Sequence, residues 1–229
     1  MAAEKDTIAG GKISSSNRAY EMLRDRLLRF AILPNQRINE VTLAAELDVS
    51  RTPLREALNR LVAEGLLVNR ARGLSVPDLE PDLVFELFEA RVEIECSVVR
   101  LTCERASDAA LDELGAFLDE SAAESPDASI DRLIEFDIRF HDTIAALSEN
   151  RILRRTLANL NDRIHLVRWI AMEGRRERTQ GEHREILDRI RARDTDGAVA
   201  AVRKHIIHRN DDIMAAIKAA YGHVYTLSA

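Results

Sequence analysis

Long apolar runs are missing from this 229-residue chain. No stretch approaches the roughly 18 uncharged apolar residues that a bilayer span needs, and Met1 to Ser16 lacks the apolar block of a secretory signal. The expectation is a soluble, cytoplasmic protein with no membrane partner. Cysteine is scarce as well. Cys96 and Cys103 stand seven apart in a helical pattern, which at about 1.5 Å rise per residue separates their Cα atoms by roughly 10 Å, too far for a disulfide. Aromatic residues make up only 4%, yet 46% hydrophobic and 31% charged residues leave enough aliphatic side chains for a core and exclude wholesale disorder. No internal repeat is visible. At about 150 residues per domain, the length suggests two domains.

A net charge of −6 argues at first sight against nucleic acid, but the charge is unevenly spread. Residues 1–77 carry +3 and residues 78–229 carry −9, so a mildly basic head precedes an acidic body. All six histidines lie in the body, at 141, 165, 183, 205, 208 and 223. Residues 1–16, with Gly10-Gly11 and three serines and without apolar periodicity, read as a flexible tail. The head then covers 17–77 and the body 78–229, with Pro77 and Pro81 marking the boundary.

In the head, the pattern Tyr20, Leu23, Leu27, Leu28 is helical and is expected to stop at Leu33-Pro34. A short helix over about 40–47 and a longer one from Arg51 to Glu64, stopped by Gly65, follow in close succession. Leu66-Leu67-Val68 and Leu74-Ser75-Val76 predict two short strands around a basic turn, Asn69 to Gly73. Two helices linked by Asp48-Val49-Ser50 fit a helix-turn-helix, whose second helix enters the DNA major groove. Leu54, Leu58, Leu61 and Val62 form its buried stripe, so Arg51, Arg55 and Asn59 share another face. Ser50 suits the N-cap and Pro53 the first turn. An arginine fork can donate two hydrogen bonds to guanine O6 and N7, which makes Arg51 and Arg55 the candidate base readers. Thr52 is placed for a phosphate, Arg70 and Arg72 for the backbone or minor groove, and Gly73 lets the wing turn. On spacing alone the arginines could instead pair with Glu56 and Glu64 on a solvated face.

The string Ser50-Arg51-Thr52-Pro53-Leu54-Arg55-Glu56-Ala57-Leu58, followed by Arg60-Leu61, Glu64-Gly65-Leu66 and Arg72-Gly73-Leu74-Ser75-Val76, closely resembles the GntR family of bacterial transcription regulators. The resemblance implies a dimer reading an inverted repeat in double-stranded DNA, with Arg51, Thr52, Arg55 and Gly73 at the DNA. Asp48 replaces the glycine usual at the family's turn, and Asp can adopt the left-handed conformation required there.

The body reads as helices only, over roughly 81–106, 108–123, 129–148, 150–172, 175–193 and 195–221. In the third of these, Ile130, Leu133, Ile134, Asp137, His141 and Ile144 form one stripe. Asp137 and His141, four apart, point the same way. They are either a chelating pair or an Asp–His hydrogen bond within a core. His183 leads the stripe Ile186, Leu187, Ile190, and His205 follows Ala198 and Val202, so both belong to buried faces. His208 and His223 do not, and His165 is ambiguous. One Asp and three His thus point inward from three helices, a donor set suited to zinc, nickel, iron or manganese. Arg91, between Leu87 and Ile94 in an apolar stripe, needs an anion, which is either Glu95 or a ligand. Asn161 is a further candidate for a pocket wall.

Glu89-Ala90-Arg91 with Glu95, Phe136-Asp137-Ile138-Arg139-Phe140-His141, Asn150, Glu182-His183, Asp194 and His205 together resemble the all-helical effector-binding (FCD) domain of the FadR subfamily. Six helices suit its shorter, VanR-like variant. By that resemblance Asp137, His141, His183 and His205 match the domain's metal ligands, and Arg91 matches an arginine that receives a ligand carboxylate. The expected fold class is mainly α, a winged helix-turn-helix followed by an all-α bundle. The expected function is a homodimeric regulator, in the first instance a repressor, that senses a small organic acid at a divalent metal. The rival readings are a metal-dependent hydrolase and a DNA-binding regulator whose Asp–His site is purely structural.

Overall fold

The structure, a computed structural model, describes residues 14–207 apart from 79, 126 and 173–175. Residues 1–13 of the expected tail, His208, His223 and the helix beyond 207 lie outside the described residues, and residues 14–16 belong to the start of the first helix. Residues up to Asp78 and those beyond it form two compact units.

In the first unit, α1 spans Ser15–Leu28, α2 Glu40–Glu46 and α3 Arg51–Ala63, followed by β1 (Val68–Arg70) and β2 (Gly73–Ser75). The first helix begins two residues earlier than expected because Ser14 caps it, its Oγ accepting the Asn17 N–H at 3.1 Å. It also ends earlier, at Leu28 rather than at Leu33-Pro34. Phe30 adopts a left-handed conformation (φ 58°), and the Ala31 N–H closes back on the Arg26 carbonyl at 2.9 Å. This six-to-one closure terminates the helix and folds Ile32 into the core. Asp48 is likewise left-handed (φ 51°), as the turn between α2 and α3 requires.

Leu66 and Leu67 are not part of the first strand. Gly65 has φ 75°, and the N–H groups of both leucines return to the Leu61 carbonyl at 2.9 and 3.2 Å, so they end α3 and enter the core. The antiparallel pairs are Val68 with Ser75, Asn69 with Leu74 and Arg70 with Gly73, which shortens the turn to Ala71-Arg72. Residues 35–38 run along the other edge of β2, with the Ile38 N–H on Leu74 O at 2.8 Å and the Val76 N–H on Gln36 O at 3.0 Å. The sequence did not suggest this third segment. The core is aliphatic, with Leu23, Leu54, Leu58 and Leu61 essentially sealed.

The second unit comprises α4 (Pro81–Arg105), α5 (Asp108–Ala123), α6 (Ile130–Leu147), α7 (Arg151–Arg163), α8 (His165–Met172), α9 (Arg176–Arg191) and α10 over 195–207. Side-chain oxygens cap them in turn: Ser107 on α5, Ser129 on α6, Asn150 on α7 and Asp194 on α10. The single helix expected over 150–172 is bent into α7 and α8 at Ile164. Hydrogen bonding continues through the bend, from the Ile164 N–H to Leu160 O at 3.1 Å and from the Arg168 N–H to Ile164 O at 3.0 Å. The described residues of this unit therefore hold seven helices where six were expected. The core joins Phe88 and Val92 of α4 to Leu114 and Leu118, Phe140, Leu157, Ile186 and Val202 from the other helices. Cys96 and Cys103 are buried free thiols.

Candidate functional site

A polar centre interrupts this apolar interior. One face of α6 carries Asp137 and His141, α9 carries His183 and α10 carries His205, and all four are buried. One donor atom from each lies within 4.8 Å of the others. Asp137 Oδ1 is 3.2 Å from His183 Nε2 and 3.8 Å from His141 Nε2, and the Nε2 atoms of His141 and His205 are 3.3 Å apart.

Each donor is also held from behind. Glu95 Oε2 is 2.6 Å from His141 Nδ1, and Glu182 Oε2 is 2.7 Å from His205 Nδ1. The His183 ring stacks on Phe140 with centroids 4.0 Å apart. The second oxygen of Asp137 pairs with Arg168, whose Nη1 donates to Asn161 Oδ1 at 2.9 Å. A carboxylate at Nδ1 selects the tautomer that leaves a lone pair on Nε2. His141 and His205 thus turn lone pairs toward each other at 3.3 Å beside a carboxylate oxygen, an arrangement that a divalent cation relieves. The donor set fits such an ion.

Arg91 is fully buried, and its Nε donates to Glu95 Oε1 at 2.6 Å. Of the two partners weighed for it, the structure shows Glu95. Burial pushes the Glu95 carboxyl upward, but Arg91 and His141 overcome this and hold it well below the usual carboxylate range. Asn161 is buried too, facing Arg168 rather than standing alone on a wall. A narrow cleft with room for about one water reaches Asp137 and His183 between Ser121, Phe136, Thr179 and Gln180.

Sequence reasoning missed Arg168, and it did not assign Glu95 or Glu182 to the histidines. Arg168 was detectable as the one charge between Val167 and Trp169, seven residues and two turns after Asn161. The Glu–His pairs join different helices, so periodicity within one helix could not reveal them.

In the head, Arg51, Thr52 and Arg55 are exposed on the first turns of α3, and Arg70, Arg72 and Gly73 are exposed on the hairpin. Arg55 remains exposed and pairs across the fold with Glu40 at 3.0 Å, not with the Glu56 or Glu64 weighed for it. Ser50 occupies the N-cap, but its hydroxyl makes no capping bond. Gly73 has φ 112° and lies against Arg37, whose Nε is 3.5 Å from where a Cβ would stand. Arg37, Asn39, Val41, Arg55 and Gly73 share one concave surface. Arg37 was not anticipated, because it lies in the strand segment that the sequence did not suggest.

A winged helix-turn-helix with an exposed arginine face, together with a helical unit built around a chelating centre, defines a DNA-binding transcription regulator with an effector-binding domain. The chain belongs to the GntR family: residues 15–74 match the model of bacterial regulatory proteins of the gntR family, and residues 86–208 match the FCD domain. The Nta operon transcriptional regulator of Aminobacter aminovorans is 41% identical over 194 residues, covering 84% of this chain and 91% of its own. The HTH-type regulator YdhC of Bacillus subtilis is 31% identical over 82% of this chain and 86% of its own. Among solved structures, McbR/YncC of E. coli shares the fold with a TM-score of 0.76 at 24% identity, across 92% of this chain and all of that one. Among the described residues no helix is long and apolar enough to cross a membrane.

Proposed function

We propose that this regulator is a cytoplasmic repressor whose helical domain, residues 78–229, senses a small organic acid at a divalent ion held by Asp137, His141, His183 and His205. The observation that carries this reading is the convergence of four buried donor atoms within 4.8 Å of one another. Zinc, nickel, iron or manganese suits these donors. Such an ion, when bound, supplies a Lewis-acidic anchor for a carboxylate. Arg91 and Asn161, the expected effector contacts, also brace the centre from behind, Arg91 through Glu95 and His141 and Asn161 through Arg168 and Asp137. With Asp137 and Glu95 balancing Arg91 and Arg168, the buried centre is near neutral before an ion binds, so a divalent ion leaves excess positive charge that favours an anionic ligand.

In residues 17–77, Arg51 and Arg55 read base edges, Thr52 and the wing residues Arg70, Arg72 and Gly73 hold the backbone, and a homodimer presents two such heads to an inverted repeat about 34 Å apart. The acid alters DNA affinity by binding one arrangement of the dimer better than the other. The test is a thermal-shift screen of small carboxylates on chelator-treated and metal-loaded protein. A ligand at 100 times its dissociation constant adds about 2.7 kcal/mol. A shift seen only with metal supports the reading, and equal shifts with and without metal leave the site a structural one.

A further inference from the structure

The two glutamates behind the histidines belong to a repeated arrangement. On α4, Arg91 donates to Glu95 one turn later, and Glu95 meets His141. On α9, Arg178 donates to Glu182 one turn later at 3.1 Å, and Glu182 meets His205. Chemically the two Arg–Glu–His arms are the same, but their surroundings differ. The first is sealed, with Arg91, Glu95 and His141 side chains 0%, 4% and 0% exposed. The second runs out to water, with Arg178 51% and Glu182 15% exposed behind a buried His205.

We propose that Glu95 and Glu182 are positioning residues with unequal tasks: the sealed Glu95–His141 arm fixes the site, and the hydrated Glu182–His205 arm is the one that lets a divalent cation in and out. The inference rests on the metal reading above. Two observations support the asymmetry. Water can compete for Glu182 and loosen its hold on His205, whereas Glu95 has no such competitor beside it. The cleft that reaches Asp137 and His183 is walled by Thr179 and Gln180, one turn before Glu182 on the same helix. Neighbouring residues of α9 thus serve two donors, His183 directly and His205 through Glu182, so a small displacement of α9 loosens both together while Asp137 and His141 stay on α6.

The experiment loads the full-length protein with Zn2+ and follows transfer of the ion to a chromophoric chelator, with affinity measured separately by competition. Glu182→Gln keeps an acceptor for the His205 Nδ1–H but removes the charge, and Glu182→Ala removes both. Second-layer substitutions of this kind weaken metal binding by about 10–100-fold. The expected result is that this loss lies in faster Zn2+ release, larger for Glu182→Ala than for Glu182→Gln, with the melting temperature of the zinc-free protein unchanged in Glu182→Gln, which keeps the acceptor. Arg178→Ala accelerates release in the same direction. Glu95→Gln weakens affinity and also destabilises the zinc-free protein, because Arg91 loses its carboxylate. Release rates within twofold of wild type in both Glu182 variants overturn the proposal while leaving the metal reading intact. Wild-type protein that binds none of Zn2+, Ni2+, Fe2+ and Mn2+ overturns both.

Discussion

The two units of this protein treat charge in opposite ways. Among the described residues of the head, polar burial is confined to Ser75 and the Tyr20 phenol, and every arginine assigned to DNA stands in solvent. The body buries two arginines, a glutamate, an aspartate and three histidines around a single point. On the proposed function, the difference follows from what each unit binds. Phosphates and base edges arrive with their own water and counterions, so a head that meets them needs exposed cations on a stiff apolar core. An ion or a small acid must be withdrawn from water to be recognised, so the body keeps ionic groups inside, where each is tolerable only while paired. Stability in the head therefore depends on packing, and in the body on packing together with the pairing of its buried charges.

The largest effect is expected from unpairing the charges of the body. Asp137→Ala leaves Arg168 buried without its carboxylate and removes a donor from the centre. Breaking one side of a buried pair costs about 3–5 kcal/mol. Hydrogen exchange read by mass spectrometry should show α6 and α8 losing protection while α1 and α3 keep theirs, and the zinc-dependent rise in melting temperature should vanish. Unchanged protection in α6 would mean that the Asp137–Arg168 pair holds nothing together.

The matching change in the head is apolar. Leu61 is fully buried among Leu23, Leu54 and Leu58, and truncating such a leucine to alanine costs about 2–5 kcal/mol. Leu61→Ala should open α1 and α3 to exchange and weaken DNA binding, with zinc affinity unaltered. A parallel loss of zinc affinity would refute the separation of the two units.

The same contrast explains what could be read in advance. The head was legible because Leu54, Leu58, Leu61 and Val62 set Arg51 and Arg55 on a separate face of α3 by spacing, and the string from Ser50 to Leu58 decided between DNA and a solvated pairing for that face. Asp137, His141, His183 and His205 were legible for a related reason, since each interrupts an apolar stripe on its own helix. Glu95 and Glu182 reach the histidines, and Arg168 reaches Asp137, only across helices, and no periodicity reports such a pairing. The bend at Ile164 escaped notice because its hydrogen bonds continue. The early end of α1 escaped because Phe30, not glycine, adopts the left-handed conformation.

Removing a charge from the head tests the other side of the comparison. Arg55 is 68% exposed and held by Glu40, so its loss costs the fold little. A good bidentate pair to guanine is worth about 1–3 kcal/mol. Arg55→Ala should weaken operator binding in an anisotropy titration by that amount and relax preference at one base position, with melting temperature and zinc binding unchanged. A uniform loss across sequences would reassign Arg55 to phosphate.

The smallest effect concerns the Tyr20 phenol at the edge of the head's core. The Tyr20 hydroxyl donates to Glu64 Oε2 at 2.7 Å, and Arg60 lies over the ring at 3.5 Å. Burial first, and the Glu64 hydrogen bond next, push this phenol up to about 12, against about 10 in an unfolded chain. A group whose folded value is raised gives its full stabilisation below the unfolded value and loses it as pH rises toward the folded one. The head should therefore hold its stability to about pH 10 and lose part of it between there and about pH 12. Tyr20→Phe removes the hydrogen bond, worth about 0.5–1.5 kcal/mol, and with it this alkaline loss. In the body, burial likewise pushes the Cys96 and Cys103 thiols up, so by the same sign its loss begins earlier, above about pH 8.5. Exchange measured from pH 8 to 11 should show α4 loosening before α1 in wild type, and in Tyr20→Phe a head no longer sensitive to pH in its upper window. Equal alkaline sensitivity of the head with and without the tyrosine hydroxyl would show that the Tyr20–Glu64 bond does not contribute to its stability.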